Sequence, residues 1–295
     1  MRKFALVILD IDDKIKDRYN LDYVTDPQGL GYELELSILK GETRNTVTKI
    51  TQSFQKVTFT VNQYKNPYAK ANSLTAWIQK YSRPEYTMAL EYDDGKIVRY
   101  CEGFATVGKK TELDKFRNLA QPYEFTPTSP FFVKRDNLIK IQVSSTGKTY
   151  PYRYPYSYGR NLVENNEIDN QYIADVPIII TINGAINTAS VQDYGNVWAV
   201  ELVDENGDSF TPREMVAFDE NLPDGASVII NSATMKIYKK ASPTATPVDY
   251  SNHVSAKTDG FLFAKNGKNK IRVLNLATTT GTGFSLTGGW RDYRL

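Results

Sequence analysis

Cysteine and histidine are almost missing from this chain: 295 residues hold one of each, Cys101 and His253. One cysteine excludes an intrachain disulfide and CxxC zinc or redox chemistry, and one histidine excludes HExxH and any two-histidine metal site. No GxSxG, GxxxxGK[ST] or complete GxGxxG occurs, and Gly281, Gly283, Gly288 and Gly289 read as turns. Long apolar runs are absent too. Phe4 to Leu9 follows Arg2 and Lys3 but stops at Asp10, too short for a signal peptide, and no stretch nears the roughly 20 apolar residues that span a membrane. The expectation is a protein that stays in the cytoplasm where it is made, or assembles there into something larger. Neither charge sign dominates. With 36 basic and 34 acidic residues, the chain lacks the concentrated basic face of a general nucleic-acid binder.

What is present is aromatic and β-branched. The 20 tyrosines and 13 phenylalanines, with abundant Thr, Val and Ile, favour a pleated, half-buried surface. Hydrophobic residues at 41% and charged residues at 24% are those of an ordinary folded protein, and the length suits two domains. Charge is uneven: residues 151–250 carry 6 basic and 14 acidic residues, and 251–295 carry 7 and 2. Opposite balances suit segments that fold together, and scattered solvated charge explains the numbers equally well.

The first half predicts strands, one helix and a hairpin. Residues 4–9, 32–39 and 56–64 are strand candidates, the last with Val57, Phe59 and Val61 on one face. Asp26-Pro27-Gln28-Gly29 reads as a turn. Asn66-Pro67 is a cap and first-turn proline, Leu74, Trp77, Ile78 and Tyr81 recur at helical spacing, and Arg83-Pro84 stops the helix. Met88 to Phe104 is a hairpin around Asp94-Gly95, and Leu113 to Phe125 is a further strand. The second half reads as short strands separated by Asn206-Gly207-Asp208, Pro223-Asp224-Gly225, Asn266-Gly267-Lys268 and Gly288-Gly289, the pattern of a β-sandwich or jelly roll. The fold class is therefore mainly β: an α+β barrel or sheet domain with one helix over residues 1–134, then a sandwich over 135–295.

Between them lies a stretch of unusual order. Tyr150, Tyr152, Tyr154, Tyr156 and Tyr158 alternate with Pro151, Arg153, Pro155 and Ser157. An extended backbone sets all five rings on one side, and the prolines suit a sheet edge or a connector. A polar loop follows, then Ile178, Ile179, Ile180 and Ile182, closed by Asn183-Gly184. The order YPYxYG, polar loop, DxPxxIxIxGxxN resembles the middle of distal tail proteins, baseplate hubs of long-tailed phages that infect Gram-positive bacteria. The matching residues are Tyr154, Pro155, Tyr156, Tyr158, Gly159, Asn170, Asp175, Pro177, Ile180, Ile182, Gly184 and Asn187, with Thr188 where the family has proline. The resemblance implies a galectin-like sandwich, a homo-oligomer closing as a hexameric ring at the tail tip, and a place in the virion. It implies as partners the tail tube protein, a tail-associated fibre or lysin protein and receptor-binding proteins, with DNA only passing through the channel.

Catalytic candidates are few. Asp204-Glu205-Asn206-Gly207-Asp208 is similar to a calcium loop but lacks the terminal glutamate, so a hairpin turn is favoured. Asp93-Asp94 and Asp219-Glu220 could supply a glycosidase pair, and solvated turns explain them as well. Cys101 reads as an inert core residue, and His253 as a surface or packed residue rather than a base. The sequence thus predicts a protein that is not an enzyme and carries no cofactor or metal. Two functions follow: a structural hub with the tyrosine ribbon as an inter-domain or partner surface, or a carbohydrate-binding module stacking sugar on an exposed Trp290, with Trp198 in the core.

Overall fold

The computed structural model of the chain describes residues 2–40, 45–109, 111–144, 160–172, 174–191, 195–256, 258, 260–274 and 284–293. Met1–Val133 form one compact unit and Lys134–Arg294 a second. The first contains β1 (Lys3–Leu9), β2 (Ile15–Leu21), β3 (Val24–Gln28), β4 (Tyr32–Lys40), β5 (Asn45–Phe54), β6 (Val57–Gln63), α1 (Pro67–Tyr81), β7 (Thr87–Asp93), β8 (Val98–Val107) and β9 (Leu119–Pro127).

Seven of these strands form one antiparallel sheet in the order β2-β1-β7-β8-β9-β6-β3. Its two outer strands are neighbours in sequence, joined only by Asp22 and Tyr23. Three Cα steps cover at most about 11 Å, so the two edges return to each other and the sheet curls. Inside the curl, Phe4, Leu6 and Ile8 of β1, Val57, Phe59 and Val61 of β6, and Met88 and Leu90 of β7 share a core with Leu74, Ile78 and Tyr81 of α1. The helix carries its buried residues, Ala71, Leu74, Ile78 and Tyr81, at the predicted spacing. Trp77 is only half-buried and packs on Tyr81 at 4.8 Å with the rings tilted by 59°.

Three local expectations are corrected. Asn66 does not cap the helix with its side chain; it adopts a left-handed conformation (φ 50°) and leaves the start to Pro67. Asp26-Pro27 is no free turn but an irregularity within β3, where Asp26 has φ 50° and the register against β6 shifts between Thr25 and Gln28. The strand expected from Leu113 starts at Leu119, because the Asp114 carboxylate accepts the N–H groups of Phe116 and Asn118 (both 2.8 Å) and folds that stretch into a turn. The Asp94-Gly95 hairpin forms as expected, with the Asp94 carboxylate accepting from Lys96 and Ile97 N–H and pairing with Arg99 at 2.7 Å.

The second unit contains β10 (Val133–Ser144, all but its first residue), β11 (Arg160–Asn165), β12 (Glu167–Asn170), β13 (Val176–Gly184), β14 (Ala189–Val191), β15 (Gly195–Asp204), β16 (Ser209–Phe218), β17 (Ser227–Asn231), β18 (Lys236–Lys240), β19 (Val248–Asp249), β20 (Phe263–Ala264), β21 (Gly267–Leu274) and β22 (Phe284–Asp292). One sheet runs β11-β10-β22-β13-β17-β18-β19 with β20 on β13, and another runs β12-β21-β15-β14 with β16 on β15. Ile178, Ile180 and Ile182 of β13 and Val200 and Leu202 of β15 are fully buried. Phe218 of β16 stacks on Trp198 at 4.2 Å and on Tyr250, just beyond β19, at 6.2 Å, joining elements of the two sheets. Among the described residues the chain is thus mostly β with one α-helix, as its composition and periodicity predict.

Gly288-Gly289 is a second correction of kind. It is no turn: β22 runs straight through it, between β10 and β13. A Cβ on Gly289 would sit 2.1 Å from the Arg135 carbonyl oxygen, and one on Gly288 2.6 Å from that of Ile179. These glycines serve close backbone approach. Charge is also buried here: Glu201, fully enclosed in β15, accepts from Arg272 at 2.7 Å and lies 3.8 Å from Arg213.

Three outcomes follow for stability, each read from thermal or urea unfolding. Gly289→Ala should cost about 1–3 kcal/mol by overpacking. Glu201→Ala should cost about 2–3 kcal/mol, at the low end for a broken buried pair because both arginines reach solvent and rehydrate. Tyr81→Phe removes the hydroxyl that donates to Asp17 at 2.5 Å and holds that carboxyl below its usual range. An acid whose pKa is lowered on folding stabilises above its unfolded value, and that stabilisation fades as pH falls through the folded one. The variant should therefore lose about 1 kcal/mol at pH 7, a difference that shrinks below about pH 4.

Candidate assembly surfaces

Hydrogen-bonding capacity left over at strand edges is the first surface of interest. Among the described residues, β4 and β5 pair with each other over Tyr32↔Phe54 to Lys40↔Asn45 and with no other strand. A two-stranded ribbon of 9 and 10 residues presents two long rows of backbone groups outward, and its register shifts once, between Ser37 and Ile38. Such ribbons are marginal alone and gain stability when a neighbour covers them. Ile38 (47% exposed) and Phe54 (38%) add apolar side chains to this arm. β4 shows itself in the sequence by its alternation, whereas β5, NTVTKITQSF, has few apolar residues to mark a face and gives no such signal.

A second feature is the Asp114 turn. Its tip exposes Phe116 (71%), with Lys115 Nζ 5.1 Å from the ring centre, and Arg117 beside it has φ 62°. The Asp114 carboxylate and the Asp114 N–H to Asn118 carbonyl bond (2.9 Å) hold the tip rigidly. A large apolar side chain presented on a fixed turn is built like a contact anchor.

The carboxylates weighed for catalysis have local partners instead. In the second unit the Tyr250 hydroxyl donates to Glu220 at 2.5 Å, Lys239 lies 3.8 Å from it, and His253 Nδ1 3.5 Å. Tyr250's hydrogen bond, then the cations, hold the Glu220 carboxyl below the usual range, which keeps it charged; a glycosidase acid needs the opposite. His253 stacks flat on Tyr250 at 4.5 Å. The Asp204 carboxylate accepts the Asn206 and Asp208 N–H groups around Gly207 (φ 91°), a hairpin turn linking β15 to β16. Burial pushes the Cys101 thiol up to about 12, so it stays protonated and unreactive in the first core. Among the described residues no three His, Cys, Asp or Glu gather to hold a metal ion, and no helix is long and apolar enough to cross a membrane.

Tyr150, Tyr152, Tyr154, Tyr156 and Tyr158 lie outside the described residues. Trp290, expected at the surface as a sugar platform, is 8% exposed: it sits in β22 opposite Ile178 of β13, inside a sheet rather than on a turn. A ring enclosed this way offers no face to a sugar. Trp198 is in the core as expected, its indole donating to the Glu220 carbonyl at 2.8 Å.

The described residues of the tyrosine-to-asparagine pattern hold the second unit together. Asn170, nearly fully buried, donates to the Ala174 (3.0 Å) and Ala264 (2.9 Å) carbonyls and accepts from Tyr172 N–H (2.9 Å), bracing the loop ahead of β13 against β20. Asp175 pairs with Lys265 at 2.7 Å, and Gly184 closes β13 with φ 109°. Thr188 puts its N–H to use where proline would have none, donating to the Asn221 side chain at 2.7 Å.

Comparison with known proteins agrees with this reading. Residues 7–128 match the family model described as distal tail protein, N-terminal domain. No curated protein matches the chain. Among solved structures, chains of the phage P2 baseplate in its activated conformation, one with calcium and one with strontium, share the fold at TM-score 0.65 and 12% identity, over 97% of this chain and 98% of theirs. The SPP1 Dit crystal structure matches over the same shares at TM-score 0.48 and 11% identity. The matched stretch, residues 7–128, falls within the unit that curls its sheet around α1, and it is this unit that is similar to the N-terminal domain of distal tail proteins.

Proposed function

We propose that this protein is a structural hub of a phage tail tip, in which copies of residues 1–134 close a hexameric ring and residues 135–295, a galectin-like sandwich, face outward. The ring would join the tail tube to the baseplate, with a tail-associated fibre or lysin protein below it and receptor-binding proteins carried by the sandwich. DNA would pass through its central hole without specific contacts. In this reading the protein works in the virion after assembly in the host cytoplasm, and it catalyses nothing.

The observation that carries the proposal is the β4–β5 ribbon, which among the described residues pairs with no other strand, in the unit that matches the family model. A closed ring requires two different patches on each subunit, one fitting the other on the next copy. A protruding two-stranded arm supplies one such patch, because laying it on a neighbour's surface satisfies its outer edges. The shared fold with a phage baseplate chain supports the same placement.

Light scattering and negative-stain microscopy of the full chain, alone and with a tail tube partner, test it. The expected result is a ring with a central hole; a monomer under every condition overturns the reading. Ile38→Lys combined with Phe54→Lys should weaken ring formation by about tenfold or more, as charges at an apolar contact do, and should leave the melting temperature of the monomer unchanged because both side chains face solvent there.

A further inference from the structure

Where the two edges of the first unit's sheet meet, a cavity of about 720 Å³ opens beside the link from β2 to β3. Its wall holds five cations, Arg2, Lys3, Arg18, Lys65 and Lys70, against a single acid, Asp22. Two of the five are already balanced: Arg18 donates to Glu91 at 2.6 Å, and Lys70 is 4.0 Å from Asp22. Arg2, Lys3 and Lys65 are exposed and have no acidic partner among the described residues. Like charges held around one concavity repel, and a multiply charged anion relieves that repulsion while accepting several hydrogen bonds at once.

The same cavity has an aromatic wall. Tyr23 is 58% exposed, and its ring meets that of Tyr64 edge to face at 4.8 Å. Its backbone lies in the left-handed region at φ 53°, rare for an aromatic residue, and is fixed by Asn62, whose N–H and side-chain amide both donate to the Tyr23 carbonyl (3.2 and 3.0 Å).

We propose that this pocket binds a phosphorylated ring compound, a nucleotide or a sugar phosphate. Its phosphates would sit among Arg2, Lys3 and Lys65 and its ring would lie against the Tyr23–Tyr64 pair. Three unbalanced cations suit a di- or triphosphate better than a lone carboxylate, and the volume is that of a small-molecule site. The residues lining the pocket lie outside the β4–β5 ribbon on which the ring proposal rests.

Titration calorimetry of the full chain at low salt, with adenosine triphosphate, glucose 6-phosphate, tripolyphosphate and hexaglutamate as probes, decides. Saturable binding of a ring compound is expected, about tenfold weaker or worse in Arg2→Glu/Lys65→Glu and also weaker in Tyr23→Ala. Tripolyphosphate should lose affinity in the charge reversal and keep it in Tyr23→Ala. The two ring probes separate a nucleotide site from a sugar phosphate site. Absence of saturation by both up to about 1 mM overturns the proposal, and so does affinity indifferent to the charge reversal. Hexaglutamate binding as tightly as the phosphates overturns it in favour of an acidic protein segment. Should the reversal lower the melting temperature, Arg2→Gln/Lys65→Gln gives the same comparison with less perturbation.

Discussion

Asp22 and Tyr23 tie together the two edges of a seven-stranded sheet, and most of the first unit follows from that short connection. A sheet whose first and last strands are adjacent in sequence cannot lie flat; it must curl, and the concave side needs filling. One amphipathic helix fills it. The curl also decides which backbone is left over, because β4 and β5 are inserted between β3 and β6 and join neither edge. The feature proposed for assembly and the pocket proposed for ligand binding are both by-products of how this sheet closes.

The second unit is braced by buried polar groups that pair within it. Asn170 satisfies two carbonyls and one N–H that would otherwise face an apolar interior, and Glu201 is bound by arginines whose heads reach solvent. Leaving such groups unpaired costs more than their pairing returns, so they fix loop positions rather than add much stability. That is why an asparagine within the pattern resembling distal tail proteins turns out to be a brace. The sandwich shows no converging reactive groups among its described residues; its acids are committed to turns, to Tyr250 and to cations.

Strands buried on one face were legible. Val57, Phe59 and Val61 alternate with polar residues because one side of β6 meets the helix, and α1 shows its spacing for the same reason. The edge strand β2, IKDRYNL, gave no such signal, since only Leu21 is buried and polar side chains fill most of the rest. Gly288-Gly289 misled for a related reason: glycine pairs mark turns when the backbone must bend, but here they mark a place where neighbouring carbonyls come too close for a Cβ. Trp290, next to them, was placed outside on the strength of that turn and is inside.

Composition and periodicity alone determined that the chain is mainly β with one helix, that it has no two-histidine or two-cysteine chemistry, and that its middle resembles distal tail proteins. These depend on residues counted or spaced along the chain. Only the tertiary structure decided that β2 and β3 meet, that β4 and β5 stand apart, and that Arg2, Lys65 and Tyr23 gather round one cavity. Strand order and edge pairing are long-range choices, made by which backbones satisfy each other across the sheet, and no local run of residues encodes them.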